Sequence, residues 1–235
     1  MFKDSAKWYD ALYSFKDYQQ ESDAIVSFLT KEYPGADSIL DVACGTAEHD
    51  KYLSKMYSVD GIDINSEFIK VASKKNPDGK YFRADMTDFD LSKTYDIILC
   101  LFSSIGYVKT IDNVIKTLRC FKKHLNEHGI IVIEPWFVPA AWNPDGRVHM
   151  LTGETTDGKI CRMNINQQEG SLSILNFHYL VGTSNGVEYF TEIHELGLFS
   201  VEEMKETFKV VKLSVSYDKD GLTGRGLYIA RQDNA

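Results

Sequence analysis

The stretch Ser38-Ile-Leu-Asp-Val-Ala-Cys-Gly-Thr46 constrains this chain more than any other. The apolar run from Ile39 to Val42 reads as a short buried strand, Gly45 permits a tight turn, and a helix carrying Tyr52 and Leu53 follows. Strand, glycine turn and helix in this order open an α/β nucleotide-binding layer, where ligands lie across the carboxyl ends of the strands. A dinucleotide fingerprint places three glycines in such a turn so that a pyrophosphate can approach the backbone. Here Ala43 and Ala47 flank a single Gly45. The turn admits a close ligand without asking for a phosphate. A nucleoside with a polar amino-acid tail suits it, which makes S-adenosylmethionine (SAM) the first candidate and a nicotinamide cofactor the second.

The rest of the pattern fills in an alternating layer. Ser58 to Asp63 reads as strand two, with Asp63 at its end, where an acid can accept ribose hydroxyl hydrogens. Asn65 or Ser66 is the natural cap of the next helix, because Phe68, Ile69 and Ala72 begin its apolar face. Lys80 to Ala84 predicts a short third strand leading to Asp85 and Met86, an acid and a flexible apolar side chain suited to an adenine, with Asp88 as an alternative contact. Tyr95 to Leu101 is nearly continuous in apolar residues, as a strand covered on both faces should be, and opens into the loop Phe102-Ser-Ser-Ile-Gly-Tyr107. A helix capped by Thr110 and a strand at Ile130 to Ile133 complete the alternation.

Then the pattern changes. After an irregular stretch holding Pro139, Pro144 and Gly146, alternating runs at 160–166, 171–181 and 187–197 lie too close together for crossover helices, and Asn185-Gly186 is a hairpin signal. The predicted organisation is an aromatic-rich helical lid over 1–37, a core over 38–136, a linker and antiparallel insertion over 137–197, and a completion of the core sheet over 198–235.

Composition limits the partners. The chain has 235 residues and a net charge of -8, which works against a general electrostatic grip on nucleic acid. No apolar run approaches the roughly 20 residues that cross a bilayer, and the N-terminus lacks a signal-peptide core, so a cytoplasmic protein is expected. Four widely spaced cysteines suggest neither a zinc site nor a disulfide framework.

Asp41-Val-Ala-Cys-Gly45, Asp63, Asp85-Met86 and the loop Phe102–Tyr107 together resemble the class I SAM-dependent methyltransferases. With Trp8-Tyr9-Asp10, Tyr13, Glu134-Pro-Trp136 and Gly224-Arg-Gly-Leu227, the resemblance narrows to the bacterial sugar N-methyltransferases, which dimethylate the 3-amino group of dTDP-linked amino deoxysugars. The resemblance spans nearly the whole chain. It implies an α/β fold, a Rossmann-like seven-stranded class I methyltransferase sheet with a small antiparallel β insertion. It further implies SAM as cofactor with S-adenosylhomocysteine as product, a nucleotide-sugar acceptor, a homodimer, and no nucleic acid, membrane or metal.

Methyl transfer from a sulfonium to an amine is an in-line displacement that needs positioning more than a nucleophilic side chain. A base helps where the amine binds protonated. Tyr13, Glu134 and His178 are the leading candidates, with His149 and His194 behind them. For the cofactor the expected contacts are Tyr9, Tyr13, Ala43, Gly45, Asp63, Ile64, Asp85, Met86, Phe102 and Ser103. For the acceptor they are Tyr107, Trp136, Arg147, His149 and Arg225, the two arginines having the fork geometry for phosphates and Trp136 a face for thymine or sugar. Another small amine as acceptor, or a protein that binds SAM without turnover, are the competing readings.

Overall fold

The computed structural model describes residues 4–144, 146 and 148–233. A 3-10 turn at Ala6–Trp8 and a single helical turn α1 (Tyr9–Leu12) precede α2 (Tyr18–Glu32), so the aromatic N-terminal segment is broken at Tyr13 to Asp17. The Asp17 side chain starts α2 by accepting the Gln20 amide at 2.9 Å. β1 (Ser38–Val42), a one-turn α3 (Asp50–Leu53), β2 (Ser58–Asp63), α4 (Ser66–Lys75), β3 (Tyr81–Arg83), β4 (Tyr95–Cys100), α5 (Ile111–Lys123) and β5 (Leu125–Ile133) follow in order. Asn65 and Thr110 cap α4 and α5 as the sequence predicts. β5 begins earlier than its apolar run because Leu125 already pairs with Tyr95 before a register shift.

A second block consists of four long strands, β6 (Val148–Thr155), β7 (Gly158–Glu169), β8 (Leu172–Thr183) and β9 (Gly186–Gly197), paired antiparallel in that order. The sequence announces three of them. β6 is the addition, and its outward Val148 and Met150 are exposed, which removes the hydrophobic alternation that marks a half-buried strand. The chain then re-enters the first sheet through α6 (Val201–Val210), β10 (Leu213–Asp218) and β11 (Leu227–Gln232). A reciprocal capping box between Ser200 and Glu203 starts α6.

The main sheet has seven strands in the order β10-β11-β5-β4-β1-β2-β3. β1 to β5 run parallel, and β11 lies antiparallel to both β5 and β10. Helices cover both faces: α5 and α6 pack on one side around Phe121, Leu118 and Phe208, while α2 packs on the other through Ile25 and Leu29. A third apolar cluster joins Trp8 and Leu12 of the N-terminal segment to Ile160, Phe177, Tyr179 and Val181 of the insertion. At Gly153 a Cβ would meet the Ala11 backbone at 2.5 Å, so β6 can approach α1 only without a side chain there. The N-terminal segment is therefore held between insertion and sheet, directly above the carboxyl ends of the strands.

Candidate active site

The strand order reverses between β1 and β4, and a ligand crevice opens there in sheets of this kind. A cavity of about 1240 Å³ occupies that place, walled by the strand ends, the N-terminal segment, and the inner face of β7 and β8. Tyr9, Tyr13, Ala43, Gly45, Asp63, Phe102, Ser103, Tyr107, Trp136, His149 and Arg225 all border it. Gly45 sits at φ +58° with open space where a Cβ would be, so the turn after β1 presents bare backbone to the cavity. Asp63 accepts the Gly45 amide at 3.0 Å and the Asn65 amide at 2.8 Å, which fixes its carboxyl beside the turn. Burial raises its pKa above the usual value, against the pull of those two amides.

Aromatic rings close the cavity from above. Tyr9 packs on Tyr13 at 4.7 Å and edge-on to Phe68 at 4.9 Å, and burial pushes its hydroxyl well above the ordinary range. The ring faces of Tyr9 and Tyr13 together with the Asp63 carboxyl make a lining suited to a sulfonium cation, whose charge ring faces attract. The residues present therefore fit SAM. Arg225 also borders the cavity; it donates to Ser103 Oγ at 2.9 Å and lies 5.3–5.5 Å from the Phe137 and Trp136 rings.

Several expected residues are placed elsewhere. Glu134 is fully buried and does not border the cavity: Oε2 accepts the Phe102 amide at 2.7 Å, and Oε1 accepts the Thr223 hydroxyl. That carboxylate is a brace. It holds Phe102 and Ser103, both at positive φ (50° and 68°), in the turn that ends β4, and ties that turn to the loop before β11. His178 points off the outer face of β8 towards the Tyr189 hydroxyl at 2.7 Å, because Phe177 and Tyr179 take the inward positions. It has no path to the cavity as a base. Asp85 is turned onto the Thr87 amide and hydroxyl, both at 2.8 Å; Met86 packs on the core, and Ile64 is largely exposed. None of the three borders the cavity. Arg147 lies outside the described residues.

The structure also adds residues. Arg162 of β7 is only 7% exposed, borders the cavity, and donates to the Tyr13 hydroxyl at 3.0 Å while covering the Phe177 ring at 4.3 Å. No carboxylate among the described residues lies within ion-pair distance of it, and its Nε has no hydrogen-bond partner. Its place on the inward register of β7, with Ile160 and Asn164, is the period-two signal that could have singled it out. His49 stacks on Phe102 at 4.4 Å and meets Glu21 at 2.8 Å; burial lowers its pKa although Glu21 acts the other way.

The sheet order and the cavity over its first strand define a class I SAM-dependent methyltransferase. Residues 39–129 match the methyltransferase domain family. The chain is 32% identical over 227 residues to the dTDP-3-amino-3,6-dideoxy-alpha-D-glucopyranose N,N-dimethyltransferase of Streptomyces fradiae, covering 95% of this chain and 89% of that protein. It superposes on the crystal structure of Streptomyces venezuelae DesVI with a TM-score of 0.89 and 31% identity, over 98% and 99% of the two chains. On SAM-bound CalS10, an amino pentose methyltransferase from Micromonospora echinaspora, the TM-score is 0.82 at 27% identity, over 94% and 95%. The chain belongs to the family of SAM-dependent dTDP-amino-deoxysugar N-methyltransferases.

Proposed function

We propose that this enzyme dimethylates the amino group of a dTDP-linked amino deoxysugar. The observation that carries the reading is the reach of the cavity, which runs from the bare turn at Gly45 to Arg225 and Trp136 and exceeds the roughly 300–1000 Å³ of ordinary small-ligand pockets. One end suits an adenosyl donor, and the other has room and chemistry for a second ligand. A relative that covers nearly the whole chain is named for a dTDP-3-amino sugar.

Bound SAM supplies an activated methyl group on a cationic sulfur. The chain's own residues supply position. Asp63 offers free carboxylate lone pairs to ribose hydroxyls, and the Gly45 turn lets the amino-acid end lie against backbone. Tyr9 and Tyr13 exclude water above the donor, and Arg162 fixes the Tyr13 hydroxyl. At the far end the Arg225 fork meets the two phosphates and Trp136 gives the base or sugar a face. The amine would then meet the Tyr13 and Tyr107 hydroxyls of the cavity wall, whose oxygens can accept its N–H groups and so leave its lone pair free to point at the methyl group.

Among the described residues no helix is long and apolar enough to cross a membrane. Four free cysteines suit a reducing cytoplasm. The outer face of the four-stranded sheet exposes cross-strand rows Val148–Ile165, Met150–Met163 and Leu180–Tyr189, a patch that a second copy would cover as a homodimer. Sedimentation reads this directly, and a monomer at micromolar concentration contradicts it.

Mass spectrometry of a reaction with SAM and dTDP-3-amino-3,6-dideoxyglucose tests the function. The expected product carries two added methyl groups, with the singly methylated sugar as a passing intermediate. An unmodified sugar, in the presence of demonstrated SAM binding, sinks this acceptor and points to another small amine.

A further inference from the structure

We propose that Tyr107, His194 and Glu192 form a proton relay leading out of the cavity, with Tyr107 the group that meets the acceptor amine. This rests on the reading of the site as one that methylates an amine. Tyr107 borders the cavity from the 3-10 turn Ser104–Val108, and its hydroxyl lies 2.9 Å from Nδ1 of His194. The other ring nitrogen, Nε2, faces Glu192 Oε2 at 3.5 Å. His194 and Glu192 stand two residues apart on the inward register of β9, with 1% and 8% of their surface exposed. His194 does not touch the cavity itself. It stands behind Tyr107.

The charges around the relay set its direction. Glu192 accepts the Ser5 hydroxyl at 2.7 Å and the Ser5 and Asp4 amides at 3.1 and 2.9 Å. Burial works against its ionisation, but His194 and those donors outweigh it and hold its pKa near 2. A carboxylate at Nε2 calls for the Nε2–H tautomer, which leaves the Nδ1 lone pair for the Tyr107 hydroxyl. Burial lowers the His194 pKa below its ordinary value, with Glu192 opposing and Arg162 of β7 adding to the lowering; Phe177 of β8 covers the ring at 4.7 Å. The imidazole is thus neutral near pH 7 and able to accept. Tyr107 cannot act alone. Burial and the neighbouring Tyr13, Tyr179 and Asp63 push its hydroxyl far above the ordinary range, against Arg162, so a standing phenolate is excluded.

When the amine has taken a methyl group it is an ammonium, and before it can take a second it must lose a proton. The ammonium N–H bond breaks as its proton joins the Tyr107 oxygen. The original Tyr107 O–H bond breaks in concert, and that proton joins His194 Nδ1. Tyr107 ends neutral, the secondary amine regains its lone pair, and the imidazolium charge faces Glu192. The proton leaves to solvent when the site opens. The arrangement places a phenol where a serine stands in a Ser-His-Asp triad, with the carboxylate holding tautomer and orientation. Tyr107 is the catalytic residue, and His194 and Glu192 act through it as positioning residues.

The first test needs no acceptor. Long-range 1H–15N NMR of histidine-labelled protein with S-adenosylhomocysteine bound, assigned with His194→Gln, should show a neutral Nε2–H tautomer at pH 7. Its Nδ1 signal should shift in Tyr107→Phe. An Nδ1–H tautomer, or an Nδ1 signal indifferent to Tyr107→Phe, overturns the relay. The second test is kinetic, with whichever amine the wild type methylates. Tyr107→Phe and His194→Gln should each lower kcat about ten- to hundredfold, with KM for SAM within about threefold of wild type, and the double variant should be no slower than either single. Wild-type kcat should fall as pH drops through the depressed His194 pKa, and that limb should vanish in His194→Gln. Multiplying losses, or an unchanged acid limb, overturn the proposal. Failure of the nucleotide-sugar reading shows separately, as a wild type that leaves that sugar unmodified while the NMR result still decides the relay.

Discussion

Glu134 shows how one residue type serves two roles that look alike in a sequence. A glutamate after the fifth strand, beside the ligand edge, reads equally as a general base or as a brace, and only its hydrogen bonds to Phe102 and Thr223 separate them. Glu134→Ala should cost about 2–4 kcal/mol of stability, because an amide and a hydroxyl lose their buried acceptor and the strained Phe102–Ser103 turn loses its anchor. Glu134→Gln keeps the shape and should retain kcat within about tenfold, measured beside its melting temperature; a base would lose about a hundredfold or more in that variant without any change in melting. Asp50 gives a pH signature. Its Oδ2 accepts the Tyr81 hydroxyl at 3.0 Å, and burial pushes its pKa to about 6 against the hydrogen bonds from Asp41 and Tyr81, while burial and Asp50 raise the facing Asp41. An unfolded aspartate titrates near ~3.9, so the folded chain binds more protons between about pH 4 and 6 and stability falls as pH rises through that window. Asp50→Asn removes this loss. Denaturant titrations should find the variant more stable than wild type by about 2–3 kcal/mol at pH 7 and nearly equal to it near pH 4. His178 is the residue that the sequence could have decided: the alternation Phe177, Tyr179, Val181 already puts it on the outer register.

Among the elements, the N-terminal segment carries a polar latch beside its apolar packing on the insertion. Asp10 accepts the Thr46 hydroxyl at 2.6 Å and Lys75 Nζ at 2.6 Å, and Lys75 also pairs with Glu48. Three elements, α1, the turn after β1 and the end of α4, meet at that carboxylate, beside Thr46 and Glu48 of the cavity wall. Asp10→Asn keeps the hydroxyl contact and weakens the ion pair; it should raise the SAM Kd about three- to tenfold by calorimetry with little change in melting temperature, since part-exposed pairs stabilise a fold weakly. An unchanged Kd would mean the segment closes without the latch. The parallel strands were legible because buried strands read as apolar runs and their caps are local signals. β6 and the break between α1 and α2 were not. β6 pairs with the adjacent β7 in a hairpin closed at Thr155↔Gly158, but its exposed Val148 and Met150 hide the alternation, and the break is set by packing of Trp8 and Leu12 on the insertion.

At the scale of the molecule, the insertion roofs the cavity and contributes Arg162, His149 and the Tyr107–His194 contact, so the cavity is assembled from distant parts of the chain. Gly45 and Asp63 were legible as residues of the cavity because both sit at strand ends, whereas the wall facing them exists only once the second sheet folds over. Arg225 lies at the junction of both, near Ser103, Trp136 and Phe137. The most direct test compares kcat/KM for the dTDP-linked amino sugar and for the same sugar without its nucleotide, in wild type and in Arg225→Gln. The wild type should prefer the nucleotide sugar by at least about a hundredfold, and Arg225→Gln should lose about ten- to hundredfold on that substrate alone, as removal of a charged hydrogen-bonding partner predicts. Equal use of both sugars by the wild type, or an Arg225→Gln loss shared by both, would contradict a site built for a nucleotide-linked amine.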